Sequence, residues 1–492
     1  MTRNFFRRHA LFFTVFALIG VALPFGIRDG NDWGGDFAIY ILQARNFAEH
    51  KPFYQTPYVA TPESLGHQPA IYPPLASLLV APVYAARGLD YRSMKLVLAL
   101  FLWLSLPLYY GIGCRRGVKP VAMVVILLLF ILSPLVLSVE QSVGSDFVFV
   151  FISALALLMI GEIYRRGWDT THAVISGILA AVLLFLCYLT RATGLALIAG
   201  FVAYDLWRAR RIRVFGLVAA GLIAVAFLVY TRFLFDARGQ YGSQFVMQPR
   251  VWALNAIAYL ETPAVIWGAA PAVIRYPLAV LTLGLAAAGM ARRLRRPELA
   301  EFFLAVWLVV LLAYVISDRR YMLPAIPFML MYAAEALDML MYRIEGTRPD
   351  WKSTWRFGLA TCVLVAIATS FANLRVAETG PIRDGVSQPS FAELCDFLRL
   401  NIPADGLILS WNPRVFAFYT GKHSALYPQD SSPAIFERAL PASSSRFLVF
   451  HQQDLDRQSL SPYLNYAGPR LGKRFENSDF QVFAIPDSPN RP

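Results

Sequence analysis

The sequence predicts a polytopic α-helical membrane protein, with about 11 transmembrane helices and a C-terminal extracytoplasmic α/β domain, on three observations. Of its 492 residues 57% are hydrophobic and 16% charged, whereas soluble globular chains carry about 25% charged residues. The apolar residues gather into runs close to the roughly 20 residues that a bilayer crossing needs. Arginines and lysines fall in short clusters between those runs, the positive-inside pattern. The formal net charge of +13 therefore reports topology, and no nucleic-acid partner is expected. Cys114, Cys187, Cys362 and Cys395 are far apart with no CxxC spacing, so neither a disulfide framework nor a thiolate metal site is readable.

The basic start MTRNFFRRH and the apolar run Ala10 to Ile27 lack a small-x-small cleavage site, which favours an uncleaved first span over a signal peptide. Further spans are expected at Met94 to Ile112, Val121 to Val139, Phe147 to Tyr164, Ala173 to Leu189, Gly194 to Leu206, Val214 to Phe235, Ala272 to Met290, Glu301 to Ser317, Met322 to Met341 and Phe357 to Leu374. With the N-terminus in the cytoplasm, the clusters at Arg115-Arg116, Arg165-Arg166, Arg208 to Arg213, Arg292 to Arg296 and Arg343 to Arg356 all fall on that side. Leu75 to Ala86 would reverse every later cluster if it crossed. Its length suits a re-entrant or surface-lying helix, and it stays within a first external loop spanning 28–92.

The transmembrane part is expected over 1–375 and the small α/β domain over 376–492. In the latter, Ser390 to Glu393 reads as a capping box opening a helix to about Leu400. LILSW (Leu407 to Trp411), RFLVF (Arg446 to Phe450) and FQVFAI (Phe480 to Ile485) read as strands. Arg414 to Tyr419 and Ala434 to Ala439 read as helical stretches between them.

Chemistry is sought in the stretch Asn31 to Leu79, a polar and aromatic loop among apolar runs. Gly34-Gly35-Asp36 places a carboxylate at the mouth of a short helix. Its apolar positions Phe37, Ile41, Ala44 and Ala48 repeat at the spacing of an interfacial amphipathic helix. The other external carboxylates are Asp29, Asp32, Glu63, Glu140, Asp146, Asp236, Glu261 and Asp318, and Asp32 is the nearest substitute for Asp36. Asp36 and Asp146 each also suit a plain helix cap. Arg191, between two apolar runs and away from the basic clusters, is an unusual address for a lone arginine; Asp318-Arg319-Arg320-Tyr321 supplies a second external basic pair, with Arg319 available to Asp318. Interface anchoring explains such arginines as well. His50 and His67 have no metal-ligand spacing, so no metal ligand is assigned and a divalent cofactor is left open. Tyr241, Phe245, Trp252, Tyr259 and Trp267 in the third external loop suit either a groove or an aromatic belt. GxxxxGK, HExxH and GxSxG motifs are missing from the sequence.

The order of these features resembles the GT-C superfamily of lipid-linked-sugar glycosyltransferases, nearest to its protein O-mannosyltransferase and aminoarabinose transferase branch. The resemblance runs through the loop Asp36 with Tyr72-Pro73-Pro74-Leu75, Ser145-Asp146-Phe147, Leu189-Thr190-Arg191-Ala192-Thr193-Gly194, Arg320-Tyr321 with Pro324, and Tyr419-Thr420-Gly421-Lys422 with Tyr427-Pro428. It implies an inner-membrane enzyme that moves a sugar from a polyprenyl-phosphate donor to an extracytoplasmic glycan, lipid or protein acceptor, with inversion. By the same resemblance Asp36 is the general base, in a layout with Tyr40 and Arg45, and Asp146 supports it or a metal. Arg191 and Arg320, with Arg319 beside it, would hold the lipid phosphate. Tyr72 departs from the Lys or His often found before Pro-Pro-Leu, which leaves His67 as a weak replacement. A lipid or polysaccharide transporter would need intramembrane charges and paired interrupted segments, which the sequence does not offer. A cell-envelope binding scaffold would leave Asp36 without a task.

Overall fold

Inside a bilayer every backbone polar group must be satisfied within the chain, so long apolar runs close into helices. The computed structural model describes residues 2–61, 71–234, 244–268, 270–347, 360–361, 364–365, 367–369, 371–373, 380–428, 445–452 and 454–485. Its helices are α1 (Thr2–Gly26), α2 (Asp36–Ala48), α3 (Leu75–Arg87), α4 (Tyr91–Arg115), α5 (Pro120–Ile131), α6 (Pro134–Val139), α7 (Asp146–Arg166), α8 (Ala173–Thr190), α9 (Leu195–Ala209), α10 (Val214–Val229), α11 (Pro249–Leu260), α12 (Ala272–Arg293), α13 (Leu299–Ala313) and α14 (Ile326–Thr347). Among the described residues six stretches, Arg7–Gly26, Tyr91–Arg115, Asp146–Arg166, Ala173–Thr190, Val214–Arg232 and Ala272–Arg293, are long and apolar enough to cross a membrane. The chain is a multi-pass helical membrane protein.

One expected span changes. The single run Val121 to Val139 is two helices, α5 and α6: Pro134 has no N–H to continue the first, and the Ser133 hydroxyl accepts the Val136 N–H at 3.3 Å to start the second. The loop that carries the aromatic residues holds α11 and a turn of helix at Thr262–Ile266. There Trp252 donates to the Val246 carbonyl and Trp267 to the Thr282 hydroxyl; Tyr241 lies outside the described residues. The segment Leu75 to Ala86 does form a helix, α3, which lies against α2 with Ala76, Ser77, Val80 and Ala81 buried. Eight of the 18 residues of Phe357 to Leu374 and all of Ala434 to Ala439 lie outside the described residues, and the ten of the former that are described are helical.

α2 also departs from the interfacial helix expected, because Phe37 to Ala44 are all buried. What covers them is α3 and, from the C-terminal part, α16 (Pro413–Thr420); that part also holds α15 (Pro389–Asn401), α17 (Asp454–Ala467) and a six-stranded sheet. α15 begins at Pro389 with Gln388 as its N-cap, so the Ser390 capping box does not form; Asn477 donates to the Ser390 carbonyl and the Glu393 carboxylate instead. The strands are β1 (Tyr58–Val59), β2 (Leu407–Ser410), β3 (His423–Leu426), β4 (Arg446–His451), β5 (Gly472–Glu476) and β6 (Phe480–Ile485), in spatial order β1-β3-β2-β4-β6-β5. β1, β3, β2 and β4 pair in parallel, while β6 pairs antiparallel with β4 and β5. The edge strand β1 comes from the first external loop, so that loop and the sheet are one hydrogen-bonded unit.

β3 and β4 lie on either side of β2. Trp33 of the first loop packs at the carboxyl ends of β2 and β4, with ring centroids 5.2 Å from Phe391, 5.6 Å from His451 and 6.0 Å from Trp411 and Phe480. The loop is held from below by Lys95, which donates to the carbonyls of Arg28 and Gly30. A Cβ on Gly385 would stand 2.1 Å from the Asn31 carbonyl oxygen, a backbone approach that only glycine permits.

Candidate active site

Asp36 opens α2, and its carboxylate accepts from three side chains. The Tyr72 hydroxyl donates to Oδ1 at 2.6 Å, Arg414 Nη1 donates to the same oxygen at 2.9 Å, and Arg320 Nη2 donates to Oδ2 at 2.5 Å. Arg414 Nη1 also lies 2.8 Å from the Tyr72 hydroxyl, and the Tyr72 ring stacks on Tyr40 with centroids 4.8 Å apart. Each partner has a local cause. Tyr72 is positioned by its carbonyl, which accepts from Gln43. Arg320 sits in a 3-10 turn, Arg319–Met322, whose first N–H groups are capped by Asp318; that carboxylate also lies 2.8 Å from Arg320 Nε. Arg414 begins α16 directly after β2. It reaches Asp36 because residue 35 has no side chain: a Cβ there would stand 2.5 Å from Asn412 Oδ1.

A second pair lies beside the first. Asp146, the first residue of α7, accepts from Arg191, whose guanidinium lies over the Tyr321 ring at 5.2 Å. The neighbouring Ser145 shares a hydrogen bond with the Tyr40 hydroxyl at 2.7 Å, joining the second external loop to α2. A cavity of about 410 Å³ opens here, lined by Asp32, Asp36, Asp146, Asp318, Arg320 and the Gly34-Gly35 backbone, with Leu135 and Phe147 as apolar walls.

Burial would raise the Asp36 carboxyl, but the Arg320 guanidinium, then Arg414, and the Tyr72 hydroxyl outweigh it and hold the group well below the usual carboxylate range. Burial lifts the Tyr40 phenol to about 12 and Tyr72 well above its ordinary value, so both hydroxyls stay protonated and able to donate. Asp36 is thus a fully ionised carboxylate between two guanidiniums at the edge of a cavity. An incoming anion of comparable charge would compete for the same two cations.

The structure brings Asp36, Tyr40, Tyr72, Asp146, Arg191 and Arg320 together. Arg319 is elsewhere: it pairs with Glu261 at the surface, while Asp318 goes to Arg320. Arg45 lies in the last turn of α2 over the Phe418 ring, about 13 Å along the helix from Asp36. His67 lies outside the described residues. Among the described residues, no three His, Cys, Asp or Glu side chains are grouped to hold a metal ion. The residue that sequence reasoning missed is Arg414, whose side chain is 2% exposed. Its one signal was an arginine inside an apolar helical stretch, Val415 to Tyr419 following it without a break. The Tyr419-Thr420-Gly421 stretch is the end of α16, with Gly421 left-handed at φ 69° before β3.

The bundle, with a carboxylate and arginines where its loops meet a sheet, has a fold shared with solved membrane proteins. Residues 6–237 match the family model described as dolichyl-phosphate-mannose-protein mannosyltransferase. The crystal structure of ArnT from Cupriavidus metallidurans bound to undecaprenyl phosphate is similar over 96% of this chain and 98% of that one, at 14% identity and a TM-score of 0.56. Archaeoglobus fulgidus oligosaccharyltransferase AglB, in complex with an inhibitory peptide and a dolichol-phosphate, is similar over 95% of this chain and 73% of that one, at 14% identity and a TM-score of 0.56. The arabinofuranosyltransferase AftD from Mycobacteria is similar over 96% and 40%, at 14% identity and a TM-score of 0.54. No curated protein matches the sequence. Over residues 6–237 the chain is thus similar to that mannosyltransferase family, and along most of its length it shares the fold of these solved membrane proteins.

Proposed function

We propose that this protein carries a sugar from a polyprenyl phosphate to an extracytoplasmic glycan, lipid or protein acceptor, with inversion, in the cavity beside Asp36. The observation that carries the reading is the sharing of the Asp36 carboxylate between Arg320 and Arg414 at the cavity edge. A phosphate entering there takes over the two guanidiniums, and an arginine fork matches its oxygens. As they turn to the phosphate, Asp36 loses the cations that suppress its basicity and becomes able to accept a proton. The acceptor O–H or N–H gives its proton to Asp36, the acceptor atom bonds to the anomeric carbon from the opposite face, and the carbon–oxygen bond to the phosphate breaks. The leaving group departs as polyprenyl phosphate, its charge held by Arg320 and Arg414. Tyr72 keeps Asp36 oriented. The Asp146–Arg191 pair, with Tyr40 and Ser145, sets the far wall and offers a further cation to the phosphate. Recognition of an undecaprenyl or dolichol phosphate by similar folds supports the donor class.

The topology that suits this reading has eleven crossings, the N-terminus in the cytoplasm, the bundle over 1–375 in the inner membrane and 376–492 outside it. The arginine clusters at the far ends of α4, α7, α9 and α12 support it. The test supplies nanodisc-embedded protein with a panel of polyprenyl-phosphate sugars and follows polyprenyl phosphate release. Wild type should consume at least one donor and Asp36→Asn none; no consumption by wild type across the panel would overturn the proposal.

A further inference from the structure

A second cavity, of about 490 Å³, lies at the other end of the bundle, between the ends of α4 and α7, α9 and the turn joining α12 to α13. Asp146 and Glu162 stand at the two ends of α7, so this cavity is about 24 Å along that helix from the Asp36 site. Six arginines line it against two glutamates. Glu162 is already engaged by Arg115, Arg165 and Arg166, and Glu298 by Arg116. Arg208, Arg295 and Arg296 also line the cavity; Arg208 lies over the Tyr164 ring at 5.3 Å, and among the described residues none of the three forms an ion pair with a carboxylate within 4 Å.

An even spread of basic residues would suffice for topology. Here they converge on a concavity, where a positive field is focused and like charges raise each other's energy until an anion enters. The walls differ from those of a free-anion site: Ile112, Leu157, Leu158 and Trp207 are apolar, and Trp207 is 51% exposed. An arginine cluster over apolar helix surface at a membrane boundary matches a phosphodiester with acyl chains attached.

We propose that this cavity binds the phosphate headgroup of an anionic phospholipid, at a site separate from the transfer cavity. Its placement in the cytoplasmic leaflet follows the orientation proposed above, while the binding itself does not depend on that reading. The full chain, purified in neutral detergent, is titrated with dioleoyl-phosphatidylglycerol, dioleoyl-phosphatidylcholine or inorganic phosphate and read by native mass spectrometry. Phosphatidylglycerol should be retained preferentially. Arg208→Gln/Arg295→Gln/Arg296→Gln together should cut its retention at least tenfold, and Arg295→Gln alone should give a smaller loss if the triple variant folds poorly. Arg210→Gln/Arg211→Gln, outside the cavity lining, should leave it unchanged. Asp36→Asn should also keep the lipid, which separates this proposal from the catalytic one. Equal retention of both lipids, an equal fall in the Arg210/Arg211 control, or uptake of inorganic phosphate without any lipid preference would overturn it.

Discussion

Replacing Arg414 with glutamine tests how the sheet and the membrane bundle share one site. The change removes a charge-assisted bond to Asp36 at 2.9 Å and a contact with the Tyr72 hydroxyl at 2.8 Å. Such bonds contribute about 1.5–3 kcal/mol when charged and about 1 kcal/mol when neutral. The partner Asp36 is 28% exposed, so solvent screens part of the first, and glutamine recovers part of the second. A net loss of about 2–4 kcal/mol is expected, a fall in kcat/KM of roughly 30- to 1000-fold. The pH profile should change too. In wild type Arg320 and Arg414 outweigh the burial that would raise the Asp36 carboxyl. With Arg414 gone the carboxyl rises toward the ordinary range, and the acid limb of kcat/KM moves to higher pH. Arg414→Lys should recover the charge but not the forked geometry, and so fall between the two. The assay is polyprenyl phosphate release in nanodiscs from pH 4 to 9, with hydrogen exchange at β1 and β3 as a check that the sheet stays docked. A glutamine variant with unaltered turnover and an unmoved acid limb would refute the reasoning.

The neutral isostere Asp36→Asn should lower single-turnover rate by at least 10²–10⁴-fold with donor binding retained; a variant within tenfold of wild type would remove Asp36 as base. Arg191→Met or Asp146→Asn alone leaves one buried charge unpaired and should cost about 3–5 kcal/mol of stability. The double variant should recover part of that in thermal unfolding, and additive losses would mean the pair is uncoupled. Gly35→Ala sets a Cβ 2.5 Å from Asn412 Oδ1; an overpacking cost of about 1–3 kcal/mol should appear as roughly tenfold or greater loss of turnover at normal abundance. The depressed Asp36 carboxyl adds stability that is fully present above its unfolded value of about 4 and is lost only as pH falls toward the lower folded value. Unfolding measured from pH 5 to 8 should therefore show no acid-side loss from this group.

Most helix positions, and Asp36 at the start of a helix, were legible in the sequence because they depend on local composition. An apolar run must form a helix in lipid whatever surrounds it, and arginine clusters between runs mark one side. The strands at Leu407, Arg446 and Phe480 were readable for the same reason, as short buried apolar runs between polar turns. What surrounds Asp36 was not local. Arg414 is 378 positions away and Arg320 is 284, and no periodicity relates such residues. Asp318 choosing Arg320 while Arg319 takes Glu261 depends on which way one 3-10 turn faces. β1 is two residues long and becomes a strand only because β3 lies beside it. The sequence by itself determined a membrane bundle with acidic and basic groups in the loops between its helices. Tertiary structure decided which of them meet, because an ion pair forms only within about 4 Å, and that distance was set by Trp33, Gly35 and Gly385 docking the first loop against the sheet.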